Sequence, residues 1–311
     1  MRASRAVPAS FPVAFLCLAL AVAAPAAAAA LSADLVSDEV TVVLRSDGKA
    51  DVAHRLEWTA SGGSMHGFYF QGEPFDPVWN LERCWADLPD GSRSALDISA
   101  VGGGRFDVIL GGGRGFSGKA YYNVAYAGDF AAAGLVGATT SADGRRLVYF
   151  DWGPVWWDES LAYRAVRLVL PRKVDGERLS DEEKAALPAL TEKYVNERNK
   201  IDWYGTDDGK GSFWLTGLFY QERVPARGEQ RLQLYFPEGY LALNATLNER
   251  AAAAAPAGAE ADGEGASDYS AAPAVDNFDA RLRSRPLVAA AIFAPLVALA
   301  LFLYARRLAS F

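Results

Sequence analysis

Residues 39–58 read EVTVVLRSDGKADVAHRLEW, and this stretch decides the fold class. Val40, Val42 and Leu44 recur at every second position. Ser46-Asp47-Gly48-Lys49 then supplies turn chemistry, and Val52, His54, Leu56 and Trp58 recur at the same interval on the return. Asp-Gly between two period-two runs is the strongest short-range signal for a β-hairpin. The inward set of the return strand includes His54, which therefore reads as a packed core histidine rather than a ligand.

The same reading extends down the chain. Met65 to Phe70, Ala95 to Val101, Arg105 to Leu110 and Lys119 to Tyr126 are strand candidates, with glycines 102–104 and 111–113 as turns. The GGGR stretches lack the Gly-Lys-Ser/Thr and the following helix of a phosphate loop. Leu147 to Trp152, Ala162 to Leu170, Lys210 to Gln221 and Glu229 to Phe236 add four more. In the last, Leu232, Leu234 and Phe236 face one way and Arg231, Gln233 and Tyr235 the other, as in a sheet with one wet side. One helical insertion is expected. Ser180 with Glu183 forms a capping box, Pro188 interrupts, and the helix resumes to about Glu197. The sum is an all-β chain: a β-sandwich of about ten strands with a short helical insertion, plus one C-terminal transmembrane helix.

That last element is the run LVAAAIFAPLVALALFLYA at 287–305, which carries no charge. As a helix it spans roughly 28 Å, close to the ~30 Å hydrocarbon core of a bilayer. At the other end Arg2 and Arg5 precede an apolar stretch from Phe11 to Ala24 and a run of alanines. Residues 1–30 read as a signal peptide, with an uncleaved anchor as the competing reading. Residues 33–247 form the extracytoplasmic domain, about 215 residues, enough for a real core. Residues 248–285 are an acidic Ala/Gly/Pro linker too poor in large apolar groups to fold, with a reach of roughly 30 Å. Residues 306–311 are a cytoplasmic tail. The expected location is the cell membrane, single-pass, with the lipid bilayer as a partner through 287–305.

The formal net charge of −7 argues against nucleic acid as a partner. The chain has two cysteines, Cys17 inside the leader and Cys84 beside Trp85. An exported chain left with one thiol has no internal disulfide, and Cys84 reads as buried and inert.

No catalytic set emerges. The two histidines, His54 and His66, form no HExxH or Ser/His/Asp pattern, so no enzyme activity, no metal and no cofactor is expected. Asp151, Asp158, Glu159 and Asp202 lie near aromatics, as glycosidase carboxylates do; acidic loop residues are more often simply solvated. Asp207-Asp208-Gly209 lacks the further ligands of a calcium loop. The stronger candidates are two aromatic clusters, Trp152, Trp156, Trp157 and Asp158 in one and Trp203 and Tyr204 in the other. Exposed, they could stack on sugar rings or take a protein partner's side chains; otherwise they cap the core. The expected role is an envelope binding or scaffold module, with a carbohydrate-binding or glycan-processing surface protein as the alternative.

Several of these segments also resemble an uncharacterised predicted membrane-protein family, domain of unknown function 2207. Val36 to Trp58 is similar to its opening hairpin and His66-Gly67-Phe68-Tyr69 to the step after it. Tyr121 to Tyr126 is similar to its "Y-x-l-x-Y" strand, Leu147 to Pro171 to its Trp-containing segment, and Phe236-Pro237-Glu238-Gly239 to its closing step. The resemblance implies an N-terminal extracytoplasmic domain and brings no catalytic residues with it.

Overall fold

A computed structural model of the chain describes residues 30–244. The signal peptide, linker, membrane helix and tail expected from the sequence lie outside these residues. Among the described residues no helix is long and apolar enough to cross a membrane.

The hairpin is where the sequence places it. β1 (Ser32–Leu44) and β2 (Lys49–Met65) pair antiparallel, with Val40 opposite His54 and Val42 opposite Val52. Gly48 takes φ 76° at the turn, a conformation that glycine adopts without a Cβ penalty. The register shifts between Leu35 and Ser37, a bulge near the start of β1. Downstream of it Asp38, Val40 and Val42 all face inward.

The described residues hold fifteen strands rather than about ten. β3 (Gly67–Gln71), β4 (Val78–Trp79), β5 (Trp85–Asp87), β6 (Arg93–Gly102) and β7 (Arg105–Leu110) lead to the long β8 (Phe116–Asp129). β9 (Val136–Thr140), β10 (Arg146–Trp152) and β11 (Leu161–Val174) follow. The helical insertion starts at the expected capping box: the Glu183 N–H donates to Ser180 Oγ, and the Ser180 N–H to the Glu183 carboxylate. It is two short helices, α1 (Asp181–Ala185) and α2 (Lys193–Arg198), with Pro188 and the two-residue β12 (Leu190–Thr191) between them. β13 (Lys200–Asp207), β14 (Phe213–Val224) and β15 (Leu232–Pro237) complete the chain. β13 lies where the sequence pattern pointed to no strand. Its Trp203 sits opposite Gly217, where a Cβ would come within 2.9 Å of the indole.

Two sheets result. The larger has eleven strands in the order β13-β14-β11-β1-β2-β8-β5-β6-β7-β3, with β4 attached to β8. β1 and β11 are parallel, so the sheet is mixed. The smaller runs β12-β15-β10-β9. Leu232, Leu234 and Phe236 of β15, and Phe150 and Trp152 of β10, join the cluster that contains Val40, Leu56, Val166 and Leu168. Both sheets thus share one core.

The large sheet also closes over itself. β3 is its last strand, yet Phe68 stacks on Trp58 of β2 and meets Tyr122 of β8 edge-on. Phe70 packs likewise against His54 and Tyr126. A right-handed twist accumulating over many strands lets the far edge return across the middle. Cys84 is buried as expected; its Sγ lies 3.2 Å from the Asn80 carbonyl, and burial pushes its pKa up.

Because Leu168 is fully buried on β11 between β1 and β14, Leu168→Ala is predicted to cost about 2–5 kcal/mol. The exposed Leu190→Ala should stay within about 0.5 kcal/mol. Urea unfolding of the two variants checks this, and equal midpoints would contradict the placement of the core.

Candidate functional site: an aromatic groove over a buried polar chain

A groove of about 590 Å³ opens between β3 and the loop of residues 153–160. Its size is that of a small-ligand or peptide site. Trp58, Met65 and Phe68 line it together with Trp156 and Trp157, and Leu31 and Ala33 at the start of β1 reach its rim. Asp107, Asp158, Glu159, Arg105 and His66 supply its polar groups.

Within the loop GPVWWDES exposure alternates from Val155 to Asp158. Val155 and Trp157 are buried while Trp156, between them, is 42% exposed. Several contacts fix that phase. The Arg164 guanidinium donates to the Val155 carbonyl at 3.0 Å, the Arg227 N–H to the Trp157 carbonyl at 2.7 Å, and the Trp157 indole to Asp38 Oδ2 at 3.1 Å. Arg227 Nε donates to Asp158 at 2.7 Å, and its guanidinium lies 5.7 Å from the centre of the Trp156 ring. Arg227 itself has φ 58°, an uncommon conformation for a non-glycine residue. Tyr69, 56% exposed, carries the Arg105 guanidinium 4.7 Å from its ring. Behind the floor, Trp58 Nε1 and Tyr122 Oη are buried and have no hydrogen-bond partner among the described residues.

Behind the buried wall runs a line of polar side chains through the core. Asp38 Oδ1 lies 3.0 Å from His54 Nδ1, and His54 Nε2 lies 3.2 Å from Tyr126 Oη. Tyr126 meets Glu73 Oε1 at 2.5 Å, and Glu73 Oε2 accepts from the Trp152 indole at 3.2 Å. Arg164 Nε stands 3.4 Å from Asp38 Oδ2, at ion-pair distance without an aligned hydrogen bond. Asp38, His54, Tyr126 and Arg164 are all essentially inaccessible to solvent.

Burial works to raise the Asp38 pKa, but His54, Arg164 and Trp157 outweigh it and hold the carboxyl below its ordinary range. At the other end burial pushes Glu73 up, against the lowering effect of Tyr126, His54 and Trp152. Burial, with Glu73 adding to it, keeps the Tyr126 phenol protonated.

The residues singled out by sequence are separated by the fold. Trp156, Trp157 and Asp158 meet at the groove. Trp152 is in the core, its indole spent on Glu73. Trp203 and Tyr204 sit on β13, at the opposite edge of the sheet from β3, where Trp203 packs on Phe219 and Phe236. The carboxylates mostly have their own cations: Arg231 for Asp151, Arg227 for Asp158, Lys184 for Asp202. Asp208 accepts from the N–H groups of Lys210 and Ser212 and from the Trp214 indole, holding its turn. Among the described residues no group of three or more His, Cys, Asp or Glu is placed to hold a metal ion.

No protein-family model and no curated protein matches the chain. Among solved structures, similarity extends to an M1 zinc metallopeptidase from Deinococcus radiodurans at 13% identity and a TM-score of 0.35. It covers 65% of this chain and 42% of that one. A candidate protease from Parabacteroides distasonis aligns at 11% identity and a TM-score of 0.36, covering 65% of this chain and 40% of that one. The chain thus spans less than half the length of these structures, and likeness at this level carries no functional argument.

Sequence reading missed Asp38, Glu73, Tyr126 and Arg164. Two of them had a signal. Asp38 is in phase with Val40 and Val42, and Arg164 with Val166, Leu168 and Leu170, so each charge falls on an inward position.

Removing Asp38 strands a buried Arg164. Asp38→Asn is predicted to cost about 3–5 kcal/mol at neutral pH, and adding Arg164→Met should recover much of it. Since Asp38 titrates lower when folded, its contribution is complete above the unfolded value near 3.9 and is lost as pH falls through the folded value. Denaturation curves from about pH 3 to 7 should therefore show a flatter acid limb in the variant. An unchanged limb removes Asp38 from this role.

Proposed function

We propose that this chain is a membrane-anchored, non-catalytic module, held outside the cytoplasm by residues 287–305, whose groove binds an envelope partner. The observation that carries the binding part is Trp156: a large ring held 42% exposed beside Asp158, while the next residue, Trp157, is locked into the core. Exposing an indole on a loop fixed at both sides keeps apolar area available for contact, and tryptophan is enriched at binding hot spots.

The placement of the groove is compatible with the anchored reading. Leu31 and Ala33 lie at its rim, at the start of β1. At the other end of β1, the N–H of Asn244, the last described residue, donates to the Ser46 carbonyl at 2.8 Å. A thirteen-residue strand is roughly 40 Å long. The last described residue thus lies near the end of β1 far from the groove, so a tether beginning after it leaves the groove open. The same reading takes up the likeness to domain of unknown function 2207. Its quoted segments fall on β1–β2, β3, β8, β10–β11 and the end of β15.

A second reading, carbohydrate binding or processing, is favoured by the pairing of the exposed Trp156 with Asp158 and Glu159 at one groove. Full-length protein in nanodiscs, presented to envelope proteins and to a glycan array, separates the two. Trp156→Ala is expected to weaken binding at least about tenfold, some 1.4 kcal/mol, with no change in thermal midpoint. Undiminished binding by this variant would remove the groove from the account. The anchor is checked by alkaline washing of membranes: the intact chain should stay with the pellet, and its release to the supernatant would overturn the tethered reading.

A further inference from the structure

One wall of the groove is main chain. Among the described residues β3 pairs only with β7, and its residues Gly67, Phe68, Tyr69 and Gln71 border the cavity. The Leu110 N–H donates to the His66 carbonyl at 2.8 Å, which sets the phase of this antiparallel pair. Phe68 and Phe70, two and four residues on, direct their N–H and C=O groups to Val108 and Phe106. Gly67, Tyr69 and Gln71 therefore turn theirs the other way, to the open edge. No hydrogen bond to those outward groups occurs among the described residues. Natural sheets usually blunt or cover such an edge. Here it borders the groove that Trp156 and Trp157 also line.

We propose that the groove takes an extended segment of a partner protein as an added strand on β3, and that this segment is basic. The inference rests on the binding role assigned to the groove above and names its occupant. A polypeptide presents N–H and C=O groups at the two-residue repeat that Gly67, Tyr69 and Gln71 offer, which a sugar ring does not. The charge follows from the lining. Asp107 and Glu159 make no ion pair among the described residues, Asp158 shares Arg227, and the lining's arginine, Arg105, lies over Tyr69. Lysine or arginine at alternate positions of the added strand meets this excess of carboxylate.

The test uses full-length protein in nanodiscs and a phage-displayed library of randomised nonapeptides. Selected peptides are expected to be rich in Lys and Arg, and to slow hydrogen exchange at the amides of Gly67, Tyr69 and Gln71. Tyr69→Pro deletes one outward N–H at an edge position where proline is tolerated. It should lose at least tenfold in affinity relative to Tyr69→Val, which also lacks the ring but keeps the donor. Equal affinities, free exchange at those amides, or no preference for basic peptides overturn strand addition. If peptides fail but a glycan binds and quenches Trp156, the groove remains a binding site and its occupant is not a strand. Protection of the same amides without any peptide assigns the edge to the chain's own residues before Leu31 and also ends the proposal. If neither class of ligand binds, the proposal and the binding role fall together.

Discussion

A carboxylate on the central strand holds the groove's wall in place. Asp38 comes from β1, and its contacts come from elsewhere: His54 on β2, Arg164 on β11 and Trp157 on the loop that walls the groove. Burying an ion pair is costly, and a well-packed apolar substitute is often as stable. The network's value thus lies in directionality. Apolar contact would let the loop slide, whereas Trp157 Nε1 and the Val155 carbonyl accept only one placement against Asp38 and Arg164. With Trp157 fixed inward, alternation sends Trp156 outward.

The groove itself is a consequence of how far the large sheet travels. β3 is remote from β2 along the hydrogen-bonded order, yet its phenylalanines lie on Trp58, His54, Tyr122 and Tyr126. An aromatic layer suits this role because flat rings meeting edge-to-face fill the space between two parts of one sheet without needing matched aliphatic knobs. The returning edge meets the 153–160 loop through Phe68 and Phe70, which pack on Trp157, and the groove opens beside that contact.

Period-two patterning made β2, β7 and the apolar face of β15 legible, since each buries one face and one face only. β13 escaped because Asp202, Gly205 and Asp207 belong to turns by composition; the glycine there is explained by the Gly176 carbonyl, which a Cβ on Gly205 would run into. The parallel pairing of β1 with β11 has no local signature, because more than a hundred residues of chain intervene between the two strands. For the site, Asp38 and Arg164 were readable from strand parity, as charges on inward positions. Glu73 was not. It lies between β3 and β4, and its partners Tyr126 and Trp152 are 53 and 79 residues away.

The two adjacent tryptophans show where sequence reading stops. Trp156 and Trp157 have the same composition, neighbours and propensity, and either could have capped the core. What separates them is Asp38, more than a hundred residues earlier, which offers an acceptor to one indole. A loop fixed by buried hydrogen bonds before any ligand arrives loses little conformational entropy on binding. The buried polar line and the exposed ring are therefore parts of one device: the desolvated charges beneath fix the wall, and the fixed wall lets Trp156 remain exposed in a single orientation.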